Sequence, residues 1–182
     1  EADKGLMTIT FTNPFNWSDK DRLATRALNN VCSIKLTQVI REEMGGTYSP
    51  SFNLDYEKYP KAEATAVCYY TCDPSTVDKL TEATFAVLDE IIANGPTAED
   101  LAKVKEQLIS SRKTLMEKNG YWNGAIEGSK WYGYELQTLE EYSADVNALT
   151  IEDLKAVAQK YLKHDGYVRV SLKPESMKPA KK

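Results

Sequence analysis

A stretch of apolar residues at helical spacing ends at Gly45-Gly46, and the chain restarts with alternating patterns. Leu28, Val31, Cys32, Leu36, Val39 and Ile40 fall on one face of a long helix expected over residues 18–44. The two glycines supply its C-terminal stop. Two strands are expected next, over 48–56 and 61–72, with a turn between Glu57 and Pro60. In the second, Ala62, Ala64, Ala66, Cys68 and Tyr70 share one face at period two. Their small size implies a helix lying close on that face. A chain with both periodicities has to bury a helical stripe against a half-buried sheet.

The remaining segments fit the same plan. Residues 6–13 read as a strand, with Met7, Ile9 and Phe11 alternating against Thr8, Thr10 and Thr12, and Pro14 ends it. A helix is expected from Pro74, with Asp73 as its cap and Val77, Leu80, Thr84, Leu88, Ile91 and Ile92 as its apolar stripe. Asn94-Gly95-Pro96 stops it. Thr97 caps the next helix, which has acids in its first turn and a buried face of Leu101, Val104, Leu108 and Leu115. Residues 119–134 are rich in glycine and aromatics and read as a helix after a loop. Residues 139–149 read as a short helix, and 150–163 as a last helix opened by Thr150. A final strand is expected over 167–172, with Val168 and Val170 on one side and Tyr167, Arg169 and Ser171 on the other. The fold expected is α+β, a largely antiparallel sheet covered on one face by helices. Residues 1–172 are expected to form one domain, and 173–182, with Pro174 and Pro179, a solvated tail.

Composition narrows the function. A net charge of -4 lacks the basic face that neutralising phosphates requires, so no nucleic-acid partner is expected. No apolar run reaches the roughly 20 residues that span a bilayer, so no membrane insertion is expected. The chain opens at Glu1 without Met, as expected of a processed or excised segment. Cys68 and Cys72 on one strand would stand about 13 Å apart, too far for a disulfide. With Cys32 they are expected to be buried free thiols. The single histidine, His164, follows a helix end and precedes Asp165-Gly166, which reads as a surface cap.

The block Arg41-Glu42-Glu43-Met44-Gly45-Gly46-Thr47-Tyr48 resembles the Arg…Tyr motif in the C-terminal half of the pitrilysin/insulinase family of zinc peptidases, the inverzincins. The resemblance runs along nearly the whole chain. Lys4-Gly5 is similar to the family's entry to its C-terminal domain. Residues 94–101 resemble its "G-x-T-x-x-E-L" helix start, with Asp100 before the leucine. Residues 150–162 resemble its final "T-x-E-D-L" helix, and Leu172-Lys173-Pro174 its closing strand. The family's zinc motif, H-x-x-E-H, occurs nowhere in the chain.

The resemblance implies a LuxS-like metallopeptidase half-domain, the last domain of a protein of bacterial type, with periplasm or cell envelope as its expected place. It implies no cofactor in this chain and zinc in the N-terminal half of the parent protein. Its partners would be that zinc-bearing half and a peptide substrate. Arg41 and Tyr48 would be the site residues, contacting substrate carbonyls and the transition state. The other reading it leaves open is a structural or assembly subunit of a relative that has lost catalysis; a standalone peptide-binding adaptor is a further one.

The chemistry suits the assignment. A tyrosine hydroxyl can donate to a peptide carbonyl and hold it more tightly as it becomes an oxyanion, an interaction worth about 2.7–4 kcal/mol of barrier. Arginine presents a planar fork of donors to carbonyls or carboxylates. The plainer readings are an arginine opposing the helix macrodipole and an ordinary strand tyrosine. Glu42 and Glu43 read as a solvated helix turn. The aromatics between Tyr121 and Tyr134 read as core or inter-domain packing before they read as a peptide-binding wall.

Overall fold

The computed structural model describes residues 4–177. Strand β1 (Gly5–Pro14) leads to helix α1 (Asp19–Leu36), which runs on as a π-helical turn (Thr37–Glu43). Strands β2 (Ser51–Glu57) and β3 (Glu63–Cys72) follow. Then come helices α2 (Val77–Asn94), α3 (Ala98–Met116), α4 (Asn119–Tyr132), α5 (Leu139–Ala148) and α6 (Ile151–Tyr161), and strand β4 (Tyr167–Leu172). The described sheet is antiparallel throughout, in the order β2-β3-β1-β4.

The period-two patterns set the core. Met7, Ile9 and Phe11 of β1 lie on one face with Ala64, Ala66, Cys68 and Tyr70 of β3 and Phe52 and Leu54 of β2. The alanines leave room for helices over that face, and Leu28, Val31 and Cys32 of α1 are buried in the same core as Leu154, Val157 and Ala158 of α6. The opposite face carries threonines, Val67 and Tyr69, and no helix of the described residues covers it. Helices on one face of an antiparallel sheet give the α+β plan expected.

The caps read from sequence hold the helix starts. The side chains of Thr97 and Thr150 accept from the amides of Asp100 and Asp153. Gly95, at a φ of 76°, stops α2. Asp100 is buried, which opposes its charge. The Lys35 ammonium at 2.8 Å and the Thr97 contacts outweigh that burial and hold its carboxyl below the usual range.

Several boundaries differ from the sequence reading. The helix expected over 18–44 loses its α repeat after Leu36. Helix α2 starts at Val77 rather than at Pro74, because the Asp73 carboxylate accepts from the Ser75 amide and hydroxyl and closes a local turn instead of a cap. Leu115 is exposed: α3 outruns the core beyond Leu108. Leu162 caps α6, and His164 is not a cap. Its ring sits among Phe85, Tyr167 and Phe11, with Nε2 3.1 Å from Asp89. No side chain of α4 is fully buried, so its aromatics are not core. Of the segment 173–182, Lys173 pairs with Asp78 at 2.7 Å and Glu175–Met177 form a 3-10 turn. Residues 178–182, including Pro179, lie outside the described residues, as do 1–3.

Cys32, Cys68 and Cys72 are free and buried, as expected. Burial pushes the Cys68 thiol up to about 12 and raises the other two as well, so none is a thiolate near neutral pH.

Candidate functional site

The site grows out of the widened end of α1. Met44 donates its amide to the Val39 carbonyl at 3.1 Å, five residues back, which is the π repeat. Gly45 donates to Arg41 at 3.1 Å and Gly46 to Ile40 at 3.0 Å. This is a Schellman-like stop one residue wider than the α-helical form. Gly45 takes a φ of +59°, which suits glycine. A Cβ on Gly46 would stand 2.3 Å from Leu80 Cδ2, so any side chain there would have to displace Leu80 from its place against the turn. Ile40 is fully buried and anchors the turn from within.

That anchoring turns Arg41 outward. Beyond Gly46 the Thr47 hydroxyl donates to the Thr71 carbonyl of β3 at 2.7 Å, tying the outgoing chain to the sheet. Tyr48 stands next to this tether and is 86% exposed. The Arg41 guanidinium carbon lies 5.3 Å from the centre of the Tyr48 ring. An exposed cation–π contact of this kind is worth about 0.5–1 kcal/mol, enough to bias the pair towards each other without fixing it. The helix end and the chain that follows the Gly-Gly break therefore meet. Tyr48, however, precedes β2, which begins at Ser51, and so it is not a strand residue.

Glu42 and Glu43 are exposed, and Glu43 accepts from Gln38 Nε2 at 3.1 Å, the solvated turn expected. A groove of about 540 Å³ lies along α3, lined by Lys105, Glu106, Ile109 and Lys113 with Asn147 of α5. It is a helix seam that takes in neither Arg41 nor Tyr48. The pair sits on an open surface, and such a surface can orient an extended ligand only when a second wall faces it. Zinc does not fit the donor set: His164 is committed to an aromatic setting, and among the described residues no group of three or more His, Cys, Asp or Glu could hold a metal ion.

Sequence reasoning missed a second cation–aromatic assembly at the other end of β2. The Arg22 guanidinium carbon is 5.2 Å from the Trp17 ring centre and 4.2 Å from that of Tyr134. Trp17 and Tyr132 are 4.9 Å apart, and Lys58 Nζ donates to the Tyr132 carbonyl at 2.9 Å. Phe15 stacks on Tyr56 at 4.8 Å. Its members come from three stretches far apart in the chain, residues 15–22, 56–58 and 132–134, so no local spacing signals it. The Thr138–Glu141 capping box of α5 was also missed, although Thr-x-x-Glu before an apolar residue is a local signal.

Comparison with known proteins bears on the family and the fold. The model of the family described as "Peptidase M16 inactive domain" matches residues 1–108. The chain is 27% identical over 159 residues to the probable zinc protease PqqL of Haemophilus influenzae, covering 87% of the chain and 17% of that protein. A crystal structure of the peptidase M16 inactive domain from Pseudomonas fluorescens superposes with a TM-score of 0.80 at 22% identity, over 93% of this chain and 41% of that one. The periplasmic protease PqqL from Escherichia coli gives 0.77 at 19% identity, over 94% and 19%. The chain spans at most 17% of the length of the curated relatives it matches. It belongs to the peptidase M16 inactive-domain family, within the pitrilysin/insulinase zinc peptidases whose C-terminal domain the Arg41–Tyr48 block resembles.

Proposed function

We propose that this chain is the non-zinc domain of a zinc-dependent metalloendopeptidase, and that Arg41 and Tyr48 form its contribution to peptide-bond hydrolysis. The observation that carries the reading is the pair itself. Two donors seven residues apart are brought side by side, exposed, and left without an enclosed groove of their own. In this reading residues 1–172 form one domain, with 173–182 as a tail. A zinc-bearing N-terminal half of the same protein supplies the facing wall and the metal, and a peptide in extended form lies between. The parent protein would work in the periplasm or cell envelope, as the Escherichia coli relative does.

The Tyr48 hydroxyl donates to the carbonyl oxygen of the scissile peptide. Its hydrogen bond strengthens as that oxygen gains negative charge, so its effect falls on the transition state. Arg41 binds neighbouring substrate carbonyls through its fork of donors and acts already in the ground state. The Thr47–Thr71 tether and the buried Ile40 hold the two at a fixed place on the domain.

The test uses the full-length, zinc-loaded protein. Arg41→Ala is expected to raise KM and to lower kcat/KM, with metal content unchanged, because the guanidinium contributes to ground-state binding. The chain of 182 residues alone is expected to show no chelator-sensitive turnover of a fluorogenic peptide with added zinc. Wild-type kinetics in Arg41→Ala, or turnover by the isolated chain, would overturn the reading. A parent lacking H-x-x-E-H would point to a structural or assembly subunit instead.

A further inference from the structure

The two edges of the sheet are treated in opposite ways. At β2 the outer edge is closed by α1: Asn29 Oδ1 accepts from the Leu54 amide at 2.8 Å, and the Ser33 hydroxyl donates to the Phe52 carbonyl at 3.3 Å. Side chains thus occupy backbone groups that would otherwise template another strand. At β4 nothing comparable is seen among the described residues. It pairs with β1 alone, in unbroken register from Leu6↔Leu172 to Phe11↔Tyr167, without a bulge or an internal proline. Val168, Val170 and Leu172 share its outer face and are 63%, 45% and 58% exposed. The charges that usually blunt an edge are drawn inward: Arg169 and Lys173 both reach Asp78 of α2, at 3.7 and 2.7 Å.

We propose that the open edge of β4 pairs antiparallel with β4 of a second copy of this chain, joining two sheets across a twofold axis at Val170. Among axes at Arg169, Val170 and Ser171, the sequence of the strand favours this register for a self-pairing. In a continuous antiparallel sheet, opposed residues share a face, so the axis must pass through a residue position. An axis at Arg169 sets that guanidinium against its own copy. One at Ser171 sets Arg169 against Lys173. Like charges directly opposed destabilise a ladder. An axis at Val170 sets Val170 against Val170, Val168 against Leu172, Arg169 against Ser171 and Tyr167 against Lys173. That register has an all-apolar outer row and no like-charge pair on the inner one. It also brings a cation opposite the Ser171 hydroxyl, which is buried and has no hydrogen-bond partner among the described residues. The interface is isologous and closes at two copies.

Sedimentation equilibrium of the 182-residue chain tests this, loaded over a range up to about 1 mM, where weak association becomes visible. The weight-average mass is expected to climb from 20.5 kDa towards twice that value. Val170→Lys, which places two ammonium groups at the axis, should remain at the monomer mass with its circular dichroism unchanged. Val168→Lys combined with Leu172→Glu should still dimerise, because the register pairs each new lysine with a new glutamate, and this dimer should weaken in high salt. A wild-type mass that stays at the monomer value, or a Val170→Lys protein that dimerises as wild type does, overturns the proposal. A double variant that is folded but monomeric overturns the register.

Discussion

The protein places a cation over an aromatic ring near each end of β2, and the two placements differ in every other respect. Arg22 lies near both Trp17 and Tyr134, is bridged to Asp19 at 2.8 Å, and belongs to a cluster that binds the end of α4 to the body of the domain. Arg41 has one ring, Tyr48, on an open surface, and no ion pair is found for it among the described residues. The first arrangement is a fastening, since two rings and a carboxylate hold the guanidinium, although its Nε is buried and finds no hydrogen-bond partner among the described residues. The second leaves its donors free. Among the described residues neither side chain makes a hydrogen bond or an ion pair, which is what the proposed contact with a ligand requires.

The largest effect expected in this comparison comes from beneath the free pair. Ile40→Ala removes the buried anchor of the π turn and should cost about 2–5 kcal/mol in urea unfolding. Arg22→Ala should come next, at about 1–2 kcal/mol, from two ring contacts and a partly shielded ion pair. Arg41→Ala should stay within about 0.5 kcal/mol of wild type, as an exposed residue outside any network does. If the two arginine variants were equally destabilised, the distinction between fastening and free donor would collapse.

The smallest effect is the acid limb. The carboxyls of Asp100 and Asp153 resist burial through Lys35 and Lys20 and through Thr97 and Thr150, and both titrate below their ordinary 3.8. A depressed folded pKa means a stabilisation that is complete above the unfolded value and fades as pH falls through the lower folded one. Stability should therefore hold down to about pH 5 and then decline. Asp100→Asn should flatten part of that decline. An acid limb unchanged in Asp100→Asn would remove Asp100 from the account.

Much of this was legible in the sequence because it is local. The alternation of Met7, Ile9 and Phe11, the caps at Thr97 and Thr150 and the stop at Gly95 each depend on a few neighbouring residues. The pairing of Arg41 with Tyr48 was expected only through the family resemblance, and the structure places the two side chains near each other. What escaped depends on distant partners. The π turn exists because Ile40 is held in the core while Gly46 is held against Leu80, a fit no helical spacing reveals. Tyr48 reads as strand by pattern, yet Thr47 is fastened to Thr71 and pairing with β3 begins only at Ser51. Arg22 looks like an ordinary surface cation until Tyr134, far along the chain, folds back to it.

In the proposed role the Tyr48 hydroxyl acts on the transition state and takes no part in holding the fold. Tyr48→Phe removes that one oxygen from a residue that is 86% exposed. In the full-length, zinc-loaded protein, kcat should fall by roughly 100-fold with KM little changed, while thermal stability and metal content match wild type. Wild-type kcat in a folded, zinc-loaded Tyr48→Phe protein would contradict it.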